Sequence, residues 1–189
     1  MILKYVYSDG LESKNLRTRF LTTDDIAPWI KFFEDTEGTK YLHVGAGLPP
    51  AERAAEWINF SMKRYAEKSF GVQALIEKET GAFVGLCGLI TQDLNGVQEV
   101  EIGYHLLKEH RGKGYATEAA QMFRDYAFEN NITDSVISII NPENEASKSV
   151  ARRNGMQLSA SNVPFRNHTY NVFRITRNEW EIQRGPAIL

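Results

Sequence analysis

The stretch that decides the fold reads Glu101-Ile102-Gly103-Tyr104-His105-Leu106-Leu107-Lys108-Glu109-His110-Arg111-Gly112-Lys113-Gly114-Tyr115-Ala116. It starts as a strand pattern, continues as a short basic loop with two glycines, and ends where a long helical pattern begins. Glycines let the backbone approach a ligand closely, and the first N–H groups of a helix have no internal partners. Together with the helix dipole, such groups form an anion site suited to a pyrophosphate.

Two common phosphate loops do not fit these residues. A Walker A loop requires Gly-Lys followed by Ser or Thr, but Gly112-Lys113 is followed by Gly114. A dinucleotide fingerprint requires a third glycine, and Thr117 occupies that position. The loop therefore predicts a phosphate ligand of another class.

The bulk properties are those of an ordinary soluble globular protein. The chain has 189 residues, of which 42% are hydrophobic and 24% charged, and its net charge is −2. We expect one domain over residues 1–189, with its core over about 16–180. The charge gives no general attraction to nucleic acid or to an anionic membrane, so neither is expected as a partner.

The lone cysteine, Cys87, and the absence of a signal-peptide pattern or a long apolar run favour a cytoplasmic location. The apolar start, residues 1–7, is too short for a signal peptide, and we expect residues 184–189 to be loose. The four histidines are scattered and no Cys-x-x-Cys pair exists, so we expect no metal site.

Periodicity predicts strands and helices that alternate along the chain. The predicted strands cover residues 16–21, 71–76, 82–91, 97–107, 135–140, 156–160 and 169–176. The first predicted helix ends near residue 34. The other three cover residues 51–67, 115–130 and 145–153. Strands joined by hairpins and followed by alternating units imply an α/β (α+β) fold, with a mixed central sheet and helices on both faces.

Residues Arg111 to Ala116 fit the pattern Arg/Gln-x-x-Gly-x-Gly/Ala, with Glu101-Ile102-Gly103-Tyr104 before it and Thr117-Glu118-Ala119 after it. This string resembles the acetyl-CoA signature of the GNAT superfamily of N-acetyltransferases. Residues 101–120 look most like the branch of the ribosomal-protein alanine N-acetyltransferases RimJ and RimL. The resemblance implies the GNAT fold and an acetyl-CoA-dependent acetyltransferase that needs no metal.

The resemblance also assigns residues to acetyl-CoA. Backbone groups of the strand before the loop would bind the pantetheine arm, although Tyr104 and Leu106 fit equally well as core residues. The pyrophosphate would lie on the N–H groups of the loop and of the helix start. The residues in these two sets are Tyr104, His105 and Leu106, and Arg111, Gly112, Lys113, Gly114, Tyr115 and Ala116.

A second resemblance lies downstream, where Asn144-Glu145-Ala146-Ser147 opens a helix and Asn154-Gly155-Met156 follows it. It implies that Asn144 contacts the cofactor arm, with helix capping as the alternative. Some relatives have a tyrosine acid seven residues after the asparagine, where this chain has Ala151. We therefore take Ser147 as the candidate for contact with the leaving sulfur.

The predicted general base is Glu101, which shares a strand face with Glu99, Gly103 and His105 by period two. A carboxylate on this strand acts directly or through water in several relatives. The alternative for Glu101 is a structural glutamate that orients nearby backbone. A lone histidine such as His105 is more often a packing residue than a base.

The acceptor is not identified by any motif. The resemblance places it between the first two helices, the loop over residues 36–50, and residues 162–170. The leading hypothesis is direct transfer in a ternary complex to a protein N-terminal amine or to a small amine such as an aminoglycoside or polyamine. The alternative is a noncatalytic acyl-CoA-binding module. The resemblance also allows a homodimer, since dimers are common in the family.

Overall fold

A computed structural model describes residues 5–185. Residues 1–4 and 186–189 lie outside the described residues, as do most of the predicted loose tail and half of the apolar start. Within residues 5–185, no helix is both long and apolar enough to cross a lipid bilayer.

A seven-stranded sheet forms the centre of the molecule. In sheet order, its strands are β1 (Leu16–Arg19), β2 (Gln73–Glu77), β3 (Phe83–Leu94), β4 (Val97–Leu106), β5 (Ser135–Ile140), β7 (His168–Thr176) and β6 (Gln157–Phe165). Neighbouring strands are antiparallel except β4 and β5, which are parallel. The helices are α1 (Ile26–Glu34), α2 (Thr36–Thr39), α3 (Pro50–Ala66), α4 (Tyr115–Glu129), α5 (Glu145–Arg153) and α6 (Arg177–Arg184). The predicted mixed sheet is confirmed.

Three elements differ from the sequence prediction. Helix α2 is a single turn without buried residues, and α6 is a polar helix that buries only Trp180. Neither carries an apolar stripe, which is the signal that predicts a helix. Strand β6 runs to Phe165, beyond the predicted residue 160, because it is an irregular edge strand with Asn162 in a left-handed conformation (φ 56°).

Helices cover both faces of the sheet, and β4 presents a different set of side chains to each. Ile102 belongs to the core cluster around Phe123 of α4. On the opposite face, the ring of His105 lies edge-on to Phe32 of α1 and Trp57 of α3. The period of two along β4 therefore also turns Glu101 toward α1 and α3.

The pairing between β4 and β5 is almost absent. It consists of one register pair, Glu101 with Ile137, and the Ser138 hydroxyl donates a hydrogen bond of 3.0 Å to the Ile102 carbonyl. From Gly103 onward, β4 has no β5 partner among the described residues, although its pairing with β3 continues to Leu106. The sheet therefore opens into a gap next to residues 103–106.

Gly85 of β3 lies directly behind this gap. Its φ is 153°, and a Cβ there would lie 2.2 Å from the His105 carbonyl oxygen. We expect Gly85→Ala to lower the free energy of unfolding by about 3 kcal/mol, because neither strand backbone has room to move. The control is Gly81→Ala in the β2–β3 turn, where φ is also positive (72°) but the space is open. It should cost about 1 kcal/mol. Urea unfolding followed by circular dichroism measures both, and equal losses would contradict the clash.

Candidate active site

A deep cleft of about 1710 Å³ passes through the gap in the sheet. One end is lined by the residues after β4, by the start of α4 and by the start of α5. The other end is lined by α1, α3, the loop over residues 41–44 and the β6–β7 hairpin. Most of the predicted site residues therefore line a single cavity.

The glycine loop has the geometry of an anion site. Gly112 and Gly114 have φ values of 78° and 86°, and a Cβ at either position would meet no atom within 4 Å. Gly114 is the N-cap of α4, and no side chain among residues 5–185 caps this helix. The N–H groups of Tyr115, Ala116 and Thr117 have no helical acceptor at this position. The loop is therefore open and rich in donors, as a pyrophosphate requires.

The Arg111 side chain does not extend freely toward the cleft. Its guanidinium pairs with the Asp35 carboxylate at 2.5 Å and donates two bonds, of 3.1 and 2.9 Å, to the Leu106 carbonyl. Its backbone N–H donates to the Lys108 carbonyl at 3.3 Å. In this structure Arg111 fixes the loop to the end of β4, and it occupies the Leu106 carbonyl that was expected to face pantetheine. The exposed Lys113 remains as the loop's unpaired cation within residues 5–185.

The start of α5 brings three predicted residues together. The Asn144 side chain accepts a hydrogen bond of 3.0 Å from the Ser147 N–H, so it caps α5, as its alternative interpretation holds. The Tyr104 hydroxyl lies 3.0 Å from both the carbonyl and the hydroxyl oxygen of Ser147. Burial raises the pKa of Tyr104, so the phenol keeps its proton. The sequence assigned only a backbone role to Tyr104, and the structure adds a proton-bearing side chain next to Ser147.

Glu101 lies in the cleft without an ion pair among the described residues. Burial raises the pKa of its carboxyl, while hydrogen bonds from the Gln92 amide (2.6 Å) and the Ile139 N–H (3.4 Å) oppose the increase. Glu99, on the same face, is held by Arg174 through two bonds of 2.6 and 3.0 Å. Of these two glutamates, Glu101 is therefore the one that is available to take up a proton.

His105 is neutral at physiological pH. Burial, followed by the nearby charge of Arg111, lowers its pKa to about 4. Its ring packs between Phe32 and Trp57, at centroid distances of 5.6 and 5.1 Å. The side chain is thus part of an aromatic wall, in line with the packing interpretation.

The acceptor end of the cleft is narrowed at its rim by two contacts. The rings of His43 and His168 stack at 3.6 Å, which joins the loop after α2 to the β6–β7 hairpin. The Tyr41 hydroxyl donates to the Glu143 carbonyl at 3.2 Å. Aromatic side chains line the space behind these contacts, namely Phe32, Trp57, Phe60, Phe165 and Tyr170.

Three polar residues of the acceptor end were not predicted from the sequence: Gln92, Arg166 and Arg64. Gln92 donates to Glu101 and accepts a bond of 3.2 Å from Arg166 at the hairpin tip. Arg64 lines the cleft from α3. Gln92 could have been noticed in the sequence, because it is a polar residue near the end of a largely apolar strand, β3. No feature of the neighbouring sequence distinguishes Arg64 or Arg166.

Comparisons with known proteins agree with this geometry. A family model described as an acetyltransferase (GNAT) domain matches residues 15–157. The chain is similar to the uncharacterized protein YkkB of Bacillus subtilis (strain 168), with 37% identity over 129 residues, or 67% of this chain and 72% of YkkB. It is 31% identical to the uncharacterized N-acetyltransferase p20 of Bacillus licheniformis over 141 residues, or 74% and 77% of the two chains.

Solved structures show the same fold. The acetyltransferase from Agrobacterium tumefaciens str. C58 superposes with a TM-score of 0.74 at 25% identity, covering 91% of this chain and 96% of that one. RimL, the ribosomal L7/L12 alpha-N-protein acetyltransferase, solved in complex with coenzyme A, has a TM-score of 0.67. It covers 87% of this chain and 95% of its own at 14% identity, so this likeness shows the fold alone. The chain belongs to the GNAT family of acetyl-CoA-dependent acetyltransferases.

Proposed function

We propose that the protein transfers the acetyl group of acetyl-CoA directly to a primary amine within a ternary complex. The observation that carries this proposal is the arrangement around β4. A carboxyl without an ion pair, Glu101, lies on the face toward α1 and α3, and the Tyr104–Ser147 hydroxyl pair lies on the other face. The gap between β4 and β5 runs between them, so a thioester in the gap has a base on one side and proton donors on the other.

The donor half of the site is formed by the gap and the glycine loop. The pyrophosphate lies on the N–H groups of Gly112 to Ala116, which the positive φ of the two glycines turns outward. The Tyr104 backbone lies on the same edge of β4 as the Ile102 carbonyl, which faces β5, so its N–H and carbonyl face the gap. These groups bind pantetheine and polarise the thioester carbonyl. That RimL was solved with coenzyme A supports a coenzyme A site in this fold.

The transfer requires protons to move at two atoms of the reactants, the amine nitrogen and the thioester sulfur. The amine nitrogen attacks the acetyl carbonyl carbon and forms the C–N bond, while Glu101 takes the excess proton from nitrogen, directly or through one water. The C–S bond then breaks, and the Ser147 hydroxyl donates a proton to the thiolate and takes one from Tyr104. Tyr104 regains its proton from solvent, while Glu101 releases to solvent the proton that it took from the amine. Because burial raises the pKa of Glu101, its carboxylate is a stronger base than that of an exposed glutamate.

The first test concerns the donor site. We expect Gly114→Ala to weaken coenzyme A binding about tenfold or more, because an alanine strained by about 1–2 kcal/mol at φ 86° shifts the first N–H groups of α4. Isothermal titration calorimetry with coenzyme A measures the dissociation constant. The control, Gly96→Ala in the β3–β4 turn, has a similar φ (82°) and equally open surroundings. It should bind coenzyme A normally, and equal losses in both variants would argue against the loop as the site.

The second test concerns the base. We expect Glu101→Gln to reduce kcat/KM by about 10²–10³-fold above the pKa of Glu101, because the amide cannot take up a proton. In the wild type, kcat/KM should fall as the pH drops through this raised pKa, since protonation removes the base. The variant should lack that part of the pH profile.

The matched control is Glu56→Gln, which removes the same charge from the exposed part of the cleft lining. It should keep both the rate and the pH profile. If Glu101→Gln released coenzyme A at the wild-type rate, and its kcat/KM still fell at low pH as in the wild type, Glu101 would have a structural role. Coenzyme A binding without turnover of any amine would instead support the noncatalytic module.

A further inference from the structure

The acceptor end of the cleft contains two arginines without carboxylate partners. Six other arginines of the described chain form ion pairs, but neither Arg64 nor Arg166 does so within residues 5–185. Both line the same cleft, together with Glu101 and Gln92. This end therefore places two arginines without ion pairs in the same cleft as the buried Glu101 carboxyl, while Glu37 and Glu56 line other parts of it.

Contacts within the protein hold the Arg64 side chain in place but do not use all of its hydrogen-bond donors. Its Nε donates to the Phe70 carbonyl, and its guanidinium lies 5.6 Å from the centroid of Phe60. Its Nη2 is buried and has no hydrogen-bond partner among the described residues. Burial, together with the positive charge of Arg166, lowers the pKa of Arg64. A guanidinium charge without a counter-ion is costly in a half-buried position, and because Arg64 lines the cleft, an anionic ligand there would offset that cost.

Arg166 occupies the other side. It lies at the tip of the β6–β7 hairpin with φ 48°, is exposed, and reaches the Gln92 carbonyl oxygen at 3.2 Å. The Gln92 amide nitrogen in turn donates to Glu101 at 2.6 Å. A single amide group therefore spans the distance between the cation and the base.

We propose that the acceptor is an α-amino acid with an apolar side chain, whose carboxylate binds Arg64 and Arg166 while its amine faces Glu101. This inference rests on the proposed function, and it identifies the substrate class of the same site. In an α-amino acid, two carbons separate the amine nitrogen from the carboxylate oxygens. This short span is comparable with that of the Gln92 amide, where one carbon separates the nitrogen that donates to Glu101 from the oxygen that accepts from Arg166. The aromatic wall of Phe32, Trp57 and Phe165 receives the side chain.

The narrowed rim favours a small acceptor over an extended peptide. The His43–His168 stack and the Tyr41–Glu143 hydrogen bond join separate parts of the cleft wall, which leaves less room for a chain that continues beyond the reacting amine. A polyamine or aminoglycoside is disfavoured because its further positive charges would face the two arginines.

The experiment compares three amines that differ in one group: phenylalanine, phenylalaninamide and 2-phenylethylamine. Coenzyme A release from acetyl-CoA is measured for each. We expect kcat/KM for phenylalanine to exceed that for the other two by about 10–100-fold, because charge-assisted hydrogen bonds to the carboxylate are lost in both. The dipeptide Phe-Ala amide represents a protein N-terminus and should react as poorly as phenylalaninamide.

Arginine variants then locate the effect. Arg64→Lys and Arg166→Gln should each raise KM for phenylalanine about tenfold or more and reduce the ratio of kcat/KM for phenylalanine to that for phenylalaninamide toward one, a pattern that a folding defect would not give. Arg17→Gln, an exposed arginine on β1, is the matched control and should change neither rate. Thermal unfolding of all three verifies that they fold.

The outcomes separate the two proposals. Equal rates for all three amines, or a preference for the amide or the dipeptide, would overturn the amino-acid inference and leave the acetyltransferase function intact. Bound coenzyme A with no acetylation of any amine in the set or in a wider panel would overturn the proposed function itself. A carboxylate preference that persists in both arginine variants would overturn the assignment of the carboxylate site.

Discussion

The missing pairing between β4 and β5 is the constraint on which the site depends. A parallel pair normally carries evenly spaced hydrogen bonds along its length, yet here only Glu101 and Ile137 are in register. Beyond that pair, the backbone of residues 103–106 has a strand on one side and the cleft on the other. This gap places the Glu101 face of β4 and its Tyr104 face within reach of one ligand. Without the gap, the same residues would be separated by a closed sheet.

The charged side chains around the gap fall into two groups, those that form ion pairs within the protein and those that line the acceptor end without one. Arg111 forms an ion pair with Asp35, which holds the glycine loop in position. Arg174 forms an ion pair with Glu99, which joins β7 to β4. Glu101, Arg64 and Arg166 have no such ion pair among residues 5–185, and all three line the acceptor end. Because a charge away from solvent is costly without a partner, the positions of Glu101 and Arg64 are more consistent with ligand binding than with stability.

The sequence was informative where function depends on the backbone. Gly112 and Gly114 predicted a loop before a helix whose backbone can approach a ligand closely, and the order of strands and helices predicted the mixed sheet. The strand that bears Glu101 and Tyr104 was likewise predicted, since period two fixes which residues share a face. The acceptor end could not be predicted in this way. Arg64, Gln92 and Arg166 come from α3, β3 and a hairpin tip, and only tertiary packing brings them together.

The use of Arg111 illustrates the same limit. Its position in the motif placed Arg111 among the residues expected at the pyrophosphate. In the folded chain its side chain pairs instead with Asp35, which is far away in the sequence. Likewise, a helix-capping role and a cofactor role for Asn144 are indistinguishable in the sequence, and the bond to the Ser147 N–H shows the first. Local patterns specify backbone geometry well, whereas the partner of a long side chain is decided by the rest of the fold.

The ion pair between Glu99 and Arg174 affects the free energy with which acetyl-CoA binds in the gap. It reaches from β4 across β5 to β7, just below the point where the strands separate. Together with the Ser138 bond to the Ile102 carbonyl, it stops the gap from closing or from spreading down the sheet. The work of separating two strands is therefore completed when the chain folds. Binding begins from a preorganised slot, so the association free energy is not reduced by the cost of opening the sheet.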